Sequence, residues 1–257
     1  MPIIQSIERA LRILDLFDEY ATELKITDIS MRLNLHKSTV HSLLKTLQKF
    51  HYIEQNQENG KYRLGMKLVE RGNFVLSNLD IRVIAKNYLT ELSMKTGNTT
   101  HLVIQDGKEG VYIDKVEGTS ATILYSRIGR RVPIHSSAVG KTLVAFKSDD
   151  ELAQILEDYE FVVHTPNTIT NQQDFLTELE KIRERGYALD NEENEPGVAC
   201  IAVPIRNHTG KVIAAMSMSQ PATRLHPEAT ESAVAMLKQA AQEISTKLGY
   251  GIGPHAD

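Results

Sequence analysis

The chain has 257 residues, 41% of them hydrophobic and 24% charged, the make-up of a globular protein with room for one or two domains that each bury a core. No apolar run approaches the roughly 20 residues that span a bilayer, no basic-then-apolar leader opens the chain, and one cysteine, Cys200, excludes an intrachain disulfide; a cytoplasmic protein without a membrane partner is expected. The net charge of −4 argues against a uniformly basic nucleic-acid binder, yet Arg32, Lys37, Lys45, Lys49, Lys61 and Arg63 cluster in one segment against only Glu54 and Glu58, so one face is suited to phosphate.

Ser6 is placed to cap a first helix that carries Ile7, Ala10, Leu11, Leu14 and Phe17 at the spacing of one buried face. A short second helix opens at Ile26-Thr27-Asp28, capped by Thr27, and turns Ile29 and Leu33 inward. After the connector Asn34-Leu35-His36, a third helix from about Lys37 to Phe50 buries Val40, Leu43 or Leu44, and Leu47. Two helices joined by a three-residue turn form the unit whose second helix enters a DNA major groove. That helix leaves Lys37, Ser38, Thr39, His41, Ser42, Lys45 and Thr46 outward, donors to phosphate and base edges with no acid among them. A solvated amphipathic helix accounts for the same composition on its own. The next segment tilts the balance: Tyr52–Gln55 and Lys61–Leu64 read as strands around Asn59-Gly60, a hairpin signal. A hairpin directly after a helix-turn-helix is a wing, and Lys61 and Arg63 alternate to one of its faces. Double-stranded operator DNA is the expected partner.

Beyond His101 short apolar runs replace the helical pattern: His101–Ile104, Val111–Ile113 and Ala121–Tyr125, punctuated by Gly107 and Gly118. An apolar helix follows Ser136-Ser137. Helical patterns come next at Asp149–Tyr159 and Gln172–Arg185, then strands at Ala199–Ile205 and Val212–Met218, and a terminal helix at Pro227–Leu248. Strands mixed with helices in this order predict an α/β or α+β sensor fold and no doubly wound dinucleotide domain. Gly140-Lys141-Thr142 imitates the end of a phosphate-binding loop, but His135 stands where that motif needs its first glycine. A helix N-terminus after Ser136 and Ser137 suits a ligand carboxylate; plain capping explains the serines equally well.

Leu35-His36-Lys37-Ser38-Thr39-Val40-His41, Gly129-Arg130-Arg131-Val132-Pro133-Ile134-His135-Ser136-Ser137 with Ala138-Val139-Gly140-Lys141, Arg185–Glu193, Gly197–Pro204 and Ala214–Ser219 occur in the order found in the isocitrate lyase regulator (IclR) family, and the chain resembles that family over nearly its whole length. Within it, Tyr125–Arg131 looks most like the branch that regulates 2-keto-3-deoxygluconate and pectin catabolism. The resemblance implies an α+β protein: a winged helix-turn-helix (residues 1–65), a linker helix (66–78) and a GAF- or PAS-like effector domain (79–257) that opens with a helix from Ile81 to Thr96, ended by Gly97. It implies dimers or dimers of dimers; the linker stripe Leu68, Gly72, Val75 and Leu76 is suited to an interface and equally to packing within one subunit. It places Ser137, Ala138 and Val139 in a carboxylate-receiving loop, Asp190, Cys200, Ser217 and Ser219 on a polar wall, and Leu124, Val132 and Val198 on an apolar wall. The implied effector is a small 2-oxo or sugar acid such as 2-keto-3-deoxygluconate, acting on a repressor of a carbon-catabolic operon with no cofactor.

An enzyme acting on a sugar acid, with Cys200, His135 and Asp190 as nucleophile, base and orienter, is the alternative; nothing local resembles a nucleophile elbow. Glu192, Glu193 and Glu195 read as solvated loop charge, and His and Cys do not recur at zinc spacing. No catalytic or metal site is expected.

Overall fold

The computed structural model describes residues 3–18, 21–77, 81–119 and 126–251. Two compact units divide the chain, residues 1–79 and 80–257.

In the first unit helices α1 (Gln5–Leu14), α2 (Ile26–Leu33) and α3 (Lys37–Lys49) precede a hairpin of β1 (Ile53–Gln55) and β2 (Tyr62–Leu64), then α4 (Lys67–Ser77). Asn34 ends α2 in a left-handed conformation (φ 51°), the geometry that lets the chain reverse and start α3 three residues later. Ile13, Ile29, Val40, Leu44 and Ile53 are fully buried together, and Leu33, Leu43 and Leu47 pack against them. Two expected caps are replaced. Ser6 lies inside α1, whose cap position is Ile4. Thr27 lies inside α2, where the Asp28 carboxylate accepts the Lys25 N–H at 3.2 Å. The face of α1 also differs: Ile13 and Phe17 point into the core, while Ile7 and Leu11 are both 55% exposed. In α4 Leu68 is half-buried; the side chains of Gly72, Val75 and Leu76 fall outside the described residues.

Among the described residues the second unit is built on a six-stranded antiparallel sheet in the order β5-β4-β3-β8-β7-β6. Its strands are β3 (Thr99–Asp106), β4 (Glu109–Val116), β5 (Arg131–Pro133), β6 (Ala188–Asn191), β7 (Val198–Arg206) and β8 (Val212–Pro221). Helices α5 (Ile81–Thr96) and α9 (Pro227–Lys247) pack on the sheet, and α6 (Ala138–Ala145), α7 (Asp149–Leu156) and α8 (Gln172–Arg185) complete the unit. Alternation sorts the strand residues between faces. Val103, Ala202 and Ala215 join α6, α7 and α8 in one cluster, so His101, Cys200, Ser217 and Ser219, at even spacings from them, face the same side. The architecture is α+β, as expected. Helix α7 stops at Leu156, short of Tyr159: Glu157 leaves the helical region (ψ 120°) and Asp158 follows in a left-handed conformation (φ 52°). Strands β5 and β6 are too short for a period-2 signal and do not stand out in the sequence; the run Ala121–Tyr125 lies outside the described residues.

Candidate nucleic-acid interface and ligand cavity

Helix α3 turns Val40 and Leu44 inward and leaves Lys37, Ser38, His41, Ser42, Lys45 and Thr46 exposed or half-exposed; Thr39 is half-buried. The Ser42 hydroxyl donates to the Ser38 carbonyl at 3.1 Å and the Thr46 hydroxyl to the Ser42 carbonyl at 2.9 Å. The outward donors of this face are therefore chiefly Lys37, His41 and Lys45. At the hairpin, Gly60 adopts φ 69° to close the turn, as only a residue without Cβ does at low cost. Asn56 and Asn59 donate from Nδ2 to the Glu23 carboxylate at 3.0 and 2.8 Å. Those bonds hold the Glu23 carboxyl below its usual pKa and tie the turn back to the segment before α2. Lys61 is half-buried. Arg63 is exposed but paired across the strands with Glu54, Nη2 to Oε2 at 3.1 Å, so it reaches phosphate only by exchanging that partner.

In the second unit a small cavity of about 30 Å³ opens on the α6 side of the sheet. Register builds its floor. Asp190 pairs with Cys200, Cys200 with Ser219, and Ser217 with both Ala202 and His101, so one polar row crosses β6, β7, β8 and β3. Cys200 Sγ and Ser219 Oγ are 2.9 Å apart; the His101 ring meets Ser126 Oγ at 2.8 Å and Ser217 Oγ at 3.4 Å. The rim is the start of α6, where Ala138 and Val139 hold the first two helical positions. The opening amides of a helix have no partner inside it and carry the positive end of its dipole. Ser137 is the N-cap: its hydroxyl accepts from Gly140 N at 3.1 Å and donates to Pro133 O at 2.6 Å. Plain capping accounts for that hydroxyl.

Burial governs the charges here. It lowers the His101 pKa to about 3, with Lys115 adding to the effect, so this histidine is neutral. Burial raises Asp190 to about 7 against the pull of Lys141 and of the Glu193 and Asn194 amides, which donate to its Oδ1 at 2.8 and 3.3 Å. Burial likewise raises Glu195 and pushes the Cys200 thiol far up, reinforced by Asp190. No lysine or arginine lines the cavity among the described residues.

Ser137, Ala138, Val139, Asp190, Val198, Cys200, Ser217 and Ser219 are thus brought to one cavity. Val132 is not: it is 3% exposed on β5, inside the apolar cluster. Leu124 lies outside the described residues. His101, Tyr112, Ser126, Asn194 and Glu195 also line the cavity, and sequence reasoning misses them. His101 and Tyr112 stand in runs that read only as strands, although two-residue spacing from Val103 already puts His101 on the core side. The acidic loop is corrected as well. Glu193 ion-pairs with the fully buried Lys141 at 2.5 Å, Glu192 accepts Gly197 N at 2.7 Å, and Glu195 faces the cavity, so these acids are structural charges. The same pair accounts for Gly140-Lys141-Thr142. Lysine serves a protein carboxylate, and a Cβ at Gly140 would stand 2.3 Å from the Pro133 oxygen, so glycine there allows α6 to approach the chain below it.

The alternative catalytic trio does not assemble. His135 Nδ1 is 2.8 Å from the Tyr159 hydroxyl and its Nε2 is 3.0 Å from Val162 O, in a separate cleft with Arg131 and His164. The raised Cys200 thiol is a poor nucleophile. No group of three metal-ligating side chains occurs among the described residues, and no described helix is long and apolar enough to cross a membrane.

Comparison with known proteins agrees with this architecture. Residues 6–57 match the IclR helix-turn-helix domain and residues 73–246 the C-terminal domain of bacterial IclR transcriptional regulators. The HTH-type transcriptional regulator XynR of Escherichia coli K12 is 58% identical over 250 residues, 97% of this chain and 99% of that protein. KdgR, an HTH-type transcriptional regulator of the same strain, is 43% identical over 228 residues, 89% of this chain and 87% of its own. The crystal structure of Thermotoga maritima IclR superposes with a TM-score of 0.65 at 40% identity, covering 96% of this chain and 99% of that one. The chain belongs to the IclR family of DNA-binding transcriptional regulators.

Proposed function

We propose that this regulator is a cytoplasmic repressor of a carbon-catabolic operon, released or retained on its operator by a small organic acid. In this reading residues 1–65 bind DNA, 66–78 form the linker, and 79–257 sense the ligand. Lys37, Ser38, Thr39, His41, Ser42, Lys45 and Thr46 face the groove, with Lys61 and Arg63 of the wing on phosphate. A 2-oxo or sugar acid, with 2-keto-3-deoxygluconate as first candidate, places its carboxylate at the α6 amides and its hydroxyls along Asp190, Ser217 and Ser219. Dimers, or dimers of dimers, present paired winged helices to a palindromic site.

The observation that carries the reading is the cavity itself: helix-end donors at the rim, a polar row on the floor and no cationic side chain in its described lining. Its 30 Å³ is far below the roughly 300 Å³ of a small ligand pocket, so ligand entry requires its walls to part. A ligand that favours the opened arrangement shifts the population between the two, which is the differential affinity a switch needs. Calorimetry with a panel of 2-oxo and sugar acids tests this. Saturable binding of one acid, weakened in Ser217→Ala, supports the reading; heats indistinguishable from dilution across the panel overturn it.

A further inference from the structure

We propose that His41 reads a guanine in the major groove, which makes it the residue that specifies a G·C pair in the operator. The assignment rests on the operator-binding reading above and goes one step beyond it, from contact to sequence choice. Lys37, His41 and Lys45 follow each other at i, i+4 and i+8, one stripe along the exposed face of α3. At 1.5 Å per residue the two lysines stand about 12 Å apart along the axis, one on either side of His41. Their long stems let the ammonium groups swing out to the phosphate walls. The short imidazole between them stays over the groove floor. His41 has no hydrogen-bond partner among the described residues, so its N–H is available.

The neighbouring stripe narrows the base. Ser42 and Thr46 spend their hydroxyl protons on the Ser38 and Ser42 carbonyls, and each keeps only acceptor capacity. Neither hydroxyl therefore adds a donor beside the His41 N–H, and the face carries no carboxylate or exposed carboxamide. Guanine presents two acceptors, N7 and O6, and its cytosine presents one donor, N4. An imidazole N–H set between N7 and O6 meets acceptors on both sides, whereas on adenine it meets N7 and the N6 donor. A lone N–H donor at this point matches guanine and mismatches adenine.

The test is selection of binding sites from a randomised duplex pool by the full-length protein and by His41→Ala and His41→Asn. It is followed by anisotropy titrations on the wild-type site with 7-deazaguanine at each guanine in turn. At one or more guanines, loss of N7 should weaken wild-type binding roughly tenfold and leave His41→Ala unaffected. His41→Asn, which pairs a donor and an acceptor, should move the preference there to adenine. If His41→Ala selects the wild-type motif, or loses as much as wild type at every 7-deazaguanine, His41 does not read the base. If the wild-type protein enriches no motif at all, the operator-binding reading fails first and takes this assignment with it.

Discussion

Lys37 and Lys45 are exposed on α3 without a carboxylate neighbour on that helix, whereas Arg63 is held by Glu54 on the hairpin. The lysines are ready to displace counterions, and each alanine substitution should weaken DNA binding and lower the magnitude of the log–log salt slope by about 1; unchanged slopes would remove α3 from the phosphate walls. Glu54→Gln should do the opposite, because it frees Arg63 and removes a charge that repels phosphate: tighter binding and a steeper slope, read in the same titrations. Asp190 carries a different prediction. Its folded pKa, near 7 and far above that of an ordinary aspartate, means the folded state holds a proton that the unfolded chain gives up between about pH 4 and 7. Stability from this group is present at low pH and lost as pH rises through that window. Asp190→Asn keeps a side-chain oxygen for the Glu193 and Asn194 amides and removes the titration. Its melting temperature relative to wild type should therefore rise between about pH 4 and pH 7 and level off above that, and a constant difference would place Asp190 in a wetter site than the structure shows.

At the scale of elements, legibility in the sequence tracks signal length. Helix α8 runs from Gln172 to Arg185, the limits of its helical pattern, with Gly186 after it, and α5 keeps the limits Ile81 to Thr96 that the family resemblance implies. The hairpin around Asn59-Gly60 is readable from turn chemistry alone. Helix α1 shows where periodicity runs out: Ile3, Ile4, Ile7 and Leu11 make one apolar stripe and Ala10, Ile13, Leu14 and Phe17 another, and spacing cannot choose which one the core takes. Three-residue β5 and four-residue β6 are defined by their partners. The cavity residues that emerge from the family resemblance sit together because of strand register, and Asn194 and Glu195 escape notice because a loop's burial is set by what folds over it. Gly140 supplies the element-scale test. A methyl group there meets the Pro133 carbonyl and the Ile134 backbone, which cannot swing aside as a side chain would, so Gly140→Ala should displace α6 and lower the melting temperature by many degrees. A variant as stable as wild type would mean that α6 tolerates a wider separation than the packing indicates. In the first unit, Leu44→Ala should cost about 2–5 kcal/mol in denaturant unfolding, since Leu44 is fully buried in a small core.

For the whole molecule, the proposed switch joins a donor-rich helix in one unit to a ligand cavity in the other, in a chain whose family membership is fixed by matches over both. The coupling is thermodynamic. If an acid binds one arrangement of the protein more tightly, the operator must change that acid's affinity by the same factor. The most direct test is titration of a selected operator duplex with full-length protein, with and without a saturating sugar or 2-oxo acid found by calorimetry. A change in operator affinity of roughly 5- to 150-fold is predicted, abolished by Ser217→Ala under conditions where this variant still binds DNA as wild type does. Identical operator affinity with and without a bound acid would contradict it.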